Sequence, residues 1–426
     1  MARKMKDSGI EWIGEIPEGW ETCLYKYCCS VQPGYPFDSA KFSNSSTDGF
    51  PLIRIRDITS GEIQTYYTGE YPPNYIVTAG DLLVGMDGDF NVRWWNNDAA
   101  LLNQRCCRVT EKNSVLRRFL YYVLPFTLQH INTLTYATTV KHLANGDILN
   151  SFIAFPSLPA QQNIVHYLDT VCSEIDAILS KTRSSIEEYK KLKQAVITQA
   201  VTKGVRGERE MKDSGNPWFG QIPTDWKLSR VGLHFSIILG KMLCNAPLND
   251  TYTLEPYYCA ADVHFDGVAD GARKKMWFSS IEKDLYRVSV GDLLVVEGGA
   301  GAGGSAIVEK QDSDTYVQNS IMIVRSKGNA DNRYLRYLLE FLVKQGYIDV
   351  VCNKATIPHF TKDKLSCVPF CLCPTGEQKE IADYLDAKCA EIDKLIAKKE
   401  QLVKELENYK KSLIFEYVTG KKELRR

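Results

Sequence analysis

The chain has 426 residues, of which 44% are hydrophobic and 24% charged, a composition typical of a globular protein with room for two to four domains. Its 52 basic and 52 acidic residues cancel, so any DNA-binding face has to arise from segregated charge or from a partner. No apolar run reaches the roughly 18 residues of a membrane span, and the basic N-terminus lacks the apolar stretch of a secretory signal. We therefore expect no membrane segment, and 13 reduced cysteines in a cytoplasmic protein.

The first predicted element recurs further along the chain. It reads MKDSGIEWIGEIPEGWE from Met5 and MKDSGNPWFGQIPTDWK from Met211, an offset of 206 (211 − 5). A second pair, AQQNIVHYLDTVCSEID from Ala160 and EQKEIADYLDAKCAEID from Glu377, has an offset of 217 (377 − 160). Between them, VTAGDLLV in the first copy matches VSVGDLLV in the second. Because this period is the size of a domain plus a linking element, the sequence predicts a tandem duplication.

Each variable segment between the repeated motifs is predicted to combine strands with one helix. Short stretches rich in branched and aromatic residues predict strands: PLIRIRDI, DLLVGM and QRCCRV in the first copy, and YYCAADV, DLLVVE and SIMIVR in the second. The helices that follow are LRRFLYYVL and NRYLRYLLEFLV. The predicted fold class is therefore α+β.

Each repeated tail is predicted to be one long helix. Apolar residues recur at alternating spacings of four and three from Ile164 to Val196 and from Ile381 to Leu413, as in a coiled-coil seam, although a helix in the core of a bundle is the alternative. Pro159 precedes the first tail. The predicted domains are two globular segments, 1–159 and 205–376, and two helical spacers, 160–204 and 377–426.

The sequence gives no positive sign of catalysis. The segment GGAGAGGS contains a Gly-x-Gly-x-x-Gly pattern, but the following SAIVEK is predicted to be a strand, so no helix N-terminus faces a dinucleotide. The spacing of Cys367, Cys371 and Cys373 is not a usual zinc pattern, and alternate cysteines more simply lie on a strand. We predict no catalytic residue, cofactor site or metal site in this chain.

The duplicated pattern resembles the specificity subunit of Type I restriction–modification systems. The motifs MKDSG..W.G.IP..W, GDLL and EQ..I..YLD....EID carry the resemblance over nearly the whole chain, with Ala160 in place of the acidic residue in the first copy of the last motif. It implies a non-catalytic chain with two pseudo-symmetric target-recognition domains and two long antiparallel coiled-coil helices. Each domain would read one half of a bipartite site in double-stranded DNA, and the helices would set the spacer.

The resemblance also implies partner proteins. Two DNA adenine methyltransferase (modification) subunits would dock on the helices, and a restriction subunit that translocates DNA is a further partner of such complexes. AdoMet, Mg²⁺ and ATP would belong to those partners. The alternative is a two-headed coiled-coil adaptor that binds proteins without binding DNA, and salt-dependent duplex binding separates the two hypotheses.

A candidate recognition loop, GMDGDFNVRWWNN, follows a predicted strand of the first segment. Arg93 matches a bidentate contact with guanine, Asn91 a contact with adenine, and Asp87 or Asp89 acceptance from cytosine. A hairpin turn rich in glycine, aspartate and asparagine is the alternative. The other candidates of this copy are Arg54 and Arg56 on one face of a predicted strand, Gln104 and Arg105 at a strand start, and Lys141 and His142 in a loop.

In the second segment, ARKKMW is the densest basic run, although such runs are usually solvated faces. The segment NKATIPHF aligns with TYATTVKHL of the first copy, and both are candidate phosphate clamps. The candidate DNA contacts of the second copy are Lys241, Arg273, Lys274, Lys275, Lys354, Thr356 and His359.

Overall fold

The computed structural model describes residues 3–112, 114–134, 141–310, 314–352 and 358–424. The chain packs as two compact units, Met1–Thr182 with Gln401–Arg426 and Arg183–Glu400. Each unit therefore contains one globular segment and part of each long helix. Among the described residues, no helix is long and apolar enough to span a membrane.

The first unit contains the N-terminal globular segment. Its strands are β1 (Met5–Asp7), β2 (Glu15–Pro17), β3 (Glu21–Leu24), β4 (Cys29–Pro33), β5 (Phe42–Ser43), β6 (Phe50–Ile53), β7 (Tyr66–Tyr67), β8 (Ile76–Val77), β9 (Leu82–Gly85), β10 (Val92–Trp94), β11 (Ala100–Leu102), β12 (Cys106–Glu111) and β13 (Phe152–Phe155). Its helices are α1 (Tyr25–Cys28), α2 (Ile55–Ser60), α3 (Arg117–Leu134), α4 (Asn145–Leu149) and the first part of α5 (Leu158–Lys203).

The second unit contains the C-terminal globular segment and a similar set of elements. Its strands are β14 (Met211–Asp213), β15 (Gln221–Pro223), β16 (Lys227–Arg230), β17 (Phe235–Leu239), β18 (Thr253–Tyr258), β19 (Val263–His264), β20 (Gly267–Val268), β21 (Lys274–Phe278), β22 (Leu293–Val296), β23 (Ser305–Ile307), β24 (Tyr316–Val317), β25 (Ile321–Ser326) and β26 (Pro369–Leu372). Its helices are α6 (Val231–His234), α7 (Ser280–Tyr286), α8 (Asn332–Lys344), α9 (Tyr347–Val351), α10 (Lys362–Ser366) and the first part of α11 (Thr375–Val418).

A four-stranded antiparallel sheet forms the centre of each unit, in the order β10-β9-β12-β4 in the first and β17-β25-β22-β23 in the second. The first unit adds a sheet of order β5-β7-β6-β11-β8, and the second a sheet of order β21-β18-β24. In both units a two-stranded pair, β13-β3 or β16-β26, leads into the long helix. The α+β prediction is confirmed, and a strand does follow the glycine-rich segment, as β23.

Two predicted strands are wrong in part. The segment YYCAADV leaves β18 at Tyr258 and forms a short 3-10 helix, Ala260–Asp262, before β19 begins. The segment PLIRIRDI leaves β6 at Ile53 and turns into α2 (Ile55–Ser60). The reason is Asp57, whose buried carboxylate accepts a hydrogen bond from the Arg54 backbone N at 2.8 Å and caps the helix. Arg54 and Arg56 therefore do not share a strand face. Burial also raises the pKa of Asp57.

The repeated GDLL motif forms a turn that begins the central strand. Gly80 and Gly291 have φ values of 94° and 89°, which favour glycine. The next residue, Asp81 or Asp292, accepts a hydrogen bond from a backbone N three residues earlier, at 2.9 and 2.8 Å. Strands β9 and β22 then run through the core with every residue buried. The motif thus places the same central strand in both units.

The repeated N-terminal motif holds the end of a long helix. Its second tryptophan, Trp20 or Trp226, is buried. A Cβ at Gly420 would lie 3.1 Å from the Trp20 ring, and one at Gly204 would lie 3.2 Å from the Trp226 ring. Because both glycines also have positive φ, they allow the chain to leave the helix against the indole.

The two long helices are antiparallel within each unit. In the first unit, the Tyr167 and Tyr417 ring centroids lie 4.7 Å apart, and Asp176 and Lys410 form an ion pair at 2.6 Å. In the second unit, Lys193 forms an ion pair of 2.7 Å with Asp393. The two ion pairs are reciprocal, because each partner is shifted by the offset of the tail motif (393 − 176 = 217; 410 − 193 = 217). The predicted antiparallel pair of long helices is therefore confirmed.

The YLD aspartate of each tail anchors the globular segment to the long helix. Asp169 accepts hydrogen bonds from Arg118 and Tyr122 of α3, at 2.8 and 2.6 Å. In the second unit, Asp386 accepts hydrogen bonds in the same way from Arg333 and Tyr337 of α8 at 2.7 and 2.8 Å. The two parts of the tail motif thus have separate roles. The YLD aspartate anchors the globular segment, and the EID aspartate joins the two long helices.

The helices differ from the predicted seam in two respects. Pro159 lies inside the first turn of α5 and not before it, because a proline there removes no helical hydrogen bond. In addition, some apolar seam residues are solvent-exposed: Ile178 by 47%, Leu192 by 48%, Leu395 by 36%, Leu402 by 41% and Tyr409 by 53%. The buried seam is therefore narrower than the apolar stripe.

Candidate nucleic-acid interface

The same backbone framework brings three segments together at one edge of each central sheet. In the first unit, the Met86 backbone N donates to Arg105 O at 2.9 Å, and the Leu143 backbone N donates to Met86 O at 2.7 Å. In the second unit, the Glu297 backbone N donates to Ser320 O at 2.8 Å and the Phe360 backbone N to Glu297 O at 2.6 Å. We call this surface the reading edge. It comprises Asp87, Gln104, Arg105 and His142 in the first unit and Gly298, Asn319, Ser320 and His359 in the second.

The reading edge of the first unit carries charged side chains. His142 Nδ1 lies 2.7 Å from Asp87 Oδ1, and Arg105 Nη1 lies 3.4 Å from an Asp87 carboxylate oxygen. The side chains of Arg105 and His142 are 56% and 52% exposed. Gln104, the next residue in the same turn, is also exposed. The edge therefore offers solvent-accessible donors and acceptors that are oriented by one carboxylate.

The reading edge of the second unit has the same backbone and different side chains. Gly298 takes the place of Asp87 and forms the equivalent bridge to His359, whose ring would lie 3.3 Å from a Cβ at that position. Ser320 replaces Arg105, and its hydroxyl donates to Gln318 Oε1 at 2.6 Å. His359 is exposed. Sequence divergence on a constant framework is what two binding surfaces of different specificity require.

The predicted recognition loop forms the hairpin between β9 and β10. Phe90 is buried with a φ of 52°, an uncommon conformation for a bulky residue. Its neighbours Asp89 and Asn91 are exposed beside it. The loop is thus both a tight hairpin and a display of polar side chains, so the two alternatives at the sequence level are compatible.

The Arg93 guanidinium is hydrogen-bonded within the first unit. Its Nε donates to Ile58 O at 2.5 Å and its Nη2 donates to Thr59 O at 2.6 Å. These carbonyls belong to the last turn of α2, where a cation is favourable. The guanidinium therefore ties the hairpin to α2, and the guanine contact expected of Arg93 stays a prediction.

We expect Arg93→Ala to lower the stability of the first unit by about 1–2 kcal/mol, because two charge-assisted hydrogen bonds are lost. Hydrogen exchange should show faster opening of α2, and thermal unfolding should show a lower transition temperature. Arg105→Ala is the matched control, because the Arg105 side chain is 56% exposed and makes only a long ion pair, of 3.4 Å, with Asp87. Equal stability of Arg93→Ala and the unaltered chain would contradict this role.

The other candidates of the first unit lie apart from the reading edge or are already bonded. The Arg56 guanidinium donates to Thr65 Oγ1 at 2.8 Å, and Arg54 lies over the Phe42 ring at 5.8 Å. The Lys141 ammonium binds the backbone O and the side-chain Oδ1 of Asn132, at 2.6 and 2.5 Å. Lys141 therefore fixes the end of α3 beside the reading edge.

In the second unit, the candidates fall into two groups. Lys241 is 8% exposed and forms an ion pair of 2.5 Å with Glu282, while Arg273 binds Asp262 at 3.3 Å and stacks on Tyr258. By contrast, Lys274 and Lys275, which begin β21, are exposed and available to a ligand. Lys354 and Thr356 lie outside the described residues.

The chemistry of the described side chains does not point to catalysis. Burial raises the pKa of Cys106 and of Cys371 to about 12, so both are protonated thiols near neutral pH. In the described part of the chain, no group of three or more His, Cys, Asp or Glu is arranged to hold a metal ion. The reading edges offer hydrogen bonds and charge, which suit binding.

Sequence reasoning missed the residues that organise the helices. Asp176 with Lys410 and Lys193 with Asp393 form the reciprocal ion pairs described above. Their shared offset, which equals that of the tail motif, is a signal that could have identified them, since both residue types recur at both positions. The sequence carries no comparable signal for which apolar residues of the helices are exposed, because periodicity does not show which side of a helix another element covers.

Comparison with known proteins places the chain among DNA specificity proteins. The family described as Type I restriction modification DNA specificity domain matches residues 17–188 and 223–407. The EcoBI specificity subunit of a type I restriction enzyme from Escherichia coli is 36% identical over 202 residues, which are 47% of this chain and 42% of that protein. This chain thus matches less than half of that relative.

Two further similarities extend over nearly the whole chain. A putative type I restriction enzyme MjaX specificity subunit from Methanocaldococcus jannaschii is 25% identical over 96% of this chain and 95% of its own length. A solved structure concerned with complex assembly and conformational transition of the type I R-M system has a TM-score of 0.68 at 17% identity. It covers 95% of this chain and 98% of that chain, and it supports the fold.

Proposed function

The chain belongs to the family of Type I restriction modification DNA specificity domains, and from this premise we propose that it is the DNA sequence-specificity subunit of a Type I restriction–modification complex. Each globular segment reads one half of a bipartite site in double-stranded DNA. The chain itself is not catalytic, and methyl transfer and cleavage take place in partner subunits. AdoMet, Mg²⁺ and ATP belong to those partners in this proposal.

The observation that carries the proposal is the pair of reading edges. The backbone hydrogen bonds of the edge are the same in both units, whereas Asp87 and Arg105 are replaced by Gly298 and Ser320. Arginine, glutamine and aspartate are side chains that distinguish base pairs in the major groove. The alternative, a two-headed coiled-coil adaptor that binds proteins without DNA, is separated from this proposal by salt-dependent binding to duplex DNA.

The docking of modification subunits is supported by the exposed apolar residues of the long helices. Among these, Ile178 and Tyr409 of the first unit have exposed counterparts in Leu395 and Leu192 of the second. The two sets correspond at the offset of the tail motif (395 − 178 = 217; 409 − 192 = 217). We call them the apolar flanks. Two equivalent flanks suit two copies of one partner, and a partner that closes on DNA would also supply the basic surface that a neutral chain lacks.

Helical geometry turns each apolar flank away from its ion pair. In the first unit, Ile178 follows Asp176 by two residues, about 200° around the helix, and Tyr409 precedes Lys410 by about 100°. Ile178 therefore lies on the face of α5 opposite Asp176, where a partner helix can pack without disturbing the ion pair.

The spacer between the half-sites is proposed to depend on the length of the helices. Each long helix begins in one unit and ends in the other, and the repeat runs through both at one constant offset, without an insertion in either. Inserting four residues into the middle of α5 and of α11 lengthens each helix by about 6 Å. Because DNA rises about 3.4 Å per base pair, the spacer should grow by one or two pairs while the half-site sequences stay the same.

Methylome sequencing of cells that contain the modification partner and either the original or the lengthened chain measures this effect. Cells without the chain are the control and should lack methylation at the bipartite site. Methylation that does not depend on the chain would refute the proposed function. An unchanged spacer with full methylation would refute only the role of the helices.

A further inference from the structure

An equivalent pair of side chains, five residues apart in the sequence, is in contact in both units. In the second unit, Ser229 Oγ lies 2.8 Å from His234 Nε2. In the first unit, the Sγ atoms of Cys23 and Cys28 lie 2.9 Å apart, and both cysteines are free thiols. The two pairs correspond at the offset of the N-terminal motif (229 − 23 = 206; 234 − 28 = 206). The first unit therefore holds a dithiol where the second holds a hydrogen-bonded pair with no means of cross-linking.

We propose that Cys23 and Cys28 are an oxidation site at which a hydroperoxide forms a disulfide within the first unit. A disulfide requires the sulfur atoms to approach to about 2.05 Å, a movement of roughly 1 Å from the present contact. The site is independent of the proposed DNA recognition, because neither cysteine belongs to the reading edge or to an apolar flank.

Accessibility sets the order of the two steps. The Cys23 side chain in β3 is partly exposed, whereas the Cys28 side chain is fully buried. Burial raises the pKa of Cys28 to about 12. The Cys23 thiolate attacks the peroxide O–O bond, which breaks to release hydroxide and leaves a sulfenic acid. The Cys28 sulfur then attacks the Cys23 sulfur, the S–O bond breaks, and the oxygen leaves as water with the Cys28 proton. One hydrogen peroxide and two thiols thus give one disulfide and two waters.

The neighbouring cysteine is a poorer partner. Cys29 follows Cys28 directly but begins β4, where it lies opposite Glu111 in the central sheet. It is fully buried, and burial raises its pKa to about 12. The structure gives a sulfur contact to Cys23 for Cys28 only, among the hydrogen-bonded pairs of described residues. The expected bridge is therefore between Cys23 and Cys28.

The bridge would connect two parts of the first unit. Cys23 lies in β3, which pairs with β13 directly before α5, and Cys28 ends α1 at the start of β4 in the central sheet. The covalent bond would join the pair of strands that leads to the long helix with the sheet that carries the reading edge. We expect it to raise the unfolding temperature of the first unit by on the order of 5 °C.

The test uses the full chain, reduced and then treated with increasing hydrogen peroxide. Remaining thiols are alkylated, and tryptic peptides are mapped by tandem mass spectrometry. Cleavage after Lys26 separates Cys23 from Cys28, and fragmentation between Cys28 and Cys29 shows which of these two carries the bridge. We expect linked peptides containing Cys23 and Cys28, two mass units lighter than the sum of the reduced peptides, and their release by dithiothreitol. The unfolding temperature is measured before and after reduction.

The second unit provides the matched variants. Cys23→Ser with Cys28→His places the serine–histidine pair in the first unit, and it should abolish both the linked peptides and the shift in unfolding temperature. Ser229→Cys with His234→Cys should add a second bridge. A bridge from Cys23 to Cys29, or oxidation of Cys23 to sulfinic acid without a bridge, would overturn the proposal. DNA recognition by the double variant of the first unit should be unchanged, so the proposed function is judged separately.

Discussion

If modification subunits dock on the apolar flanks as proposed, Ile178→Asp should remove one of the two from the complex, and Leu395→Asp should remove the other. Each substitution places a carboxylate in an apolar flank, and an unpaired charge at a buried contact costs at least about 3 kcal/mol, or roughly a hundredfold in affinity. Native mass spectrometry of the complex should show one bound partner for each single variant and none for the double variant. Methylation in cells should be lost in the double variant.

Ser180→Asp is the control for the first of these variants. It adds the same charge to the same helix two residues from Ile178, about 200° around the axis, at an exposed position. It should keep both partners bound. Retention of two partners by the Ile178→Asp, Leu395→Asp chain would show that the apolar flanks are not the docking surface, while leaving DNA recognition open.

Arg105→Ala should alter only the half-site that is read by the first unit. If Arg105 makes a bidentate contact with a base, its loss should cost about 1–3 kcal/mol and relax the sequence requirement at one position. Competition binding of the assembled complex against a library of half-site variants, at constant salt, measures both effects. The half-site of the second unit should be read as before, because its edge carries Ser320 at this place.

Lys274→Ala gives the contrasting result. Lys274 is exposed at the start of β21, outside the reading edge. If it contacts phosphate, its removal should weaken binding to all sequences alike and reduce the slope of log affinity against log salt by about 1. For the Arg105→Ala variant, an altered sequence preference in the half-site of the second unit would refute the assignment of one reading edge to each unit.

Much of the fold could be predicted from repetition and periodicity. The duplicated motifs predicted two related segments, and the four–three spacing predicted both long helices. The error at Arg54 and Arg56 arose because the alternation in PLIRIRDI fits a strand locally, whereas the cap at Asp57 depends on a single carboxylate buried by distant residues. Propensity in a short segment yields to such tertiary contacts.

The candidate site was less accessible to sequence reasoning. Arg93 has the chemistry of a base reader, and only its bonds to the α2 carbonyls show that it is occupied. Lys241 and Arg273 have the charge of phosphate contacts but are bonded to Glu282 and Asp262. A sequence shows which donors exist, while their availability depends on neighbours that are remote in the chain.

The composition of the first unit has a consequence for biosynthesis. Its core includes Leu413, Tyr417 and Val418 together with residues from the beginning of the chain. At about 5–20 residues per second, a ribosome needs on the order of 10–50 s to go from the end of the N-terminal segment to residue 401. The second unit is a single continuous stretch and can complete its core during that interval. The segment that is translated first therefore waits longest for its final contacts, and chaperones have their longest opportunity to bind it there.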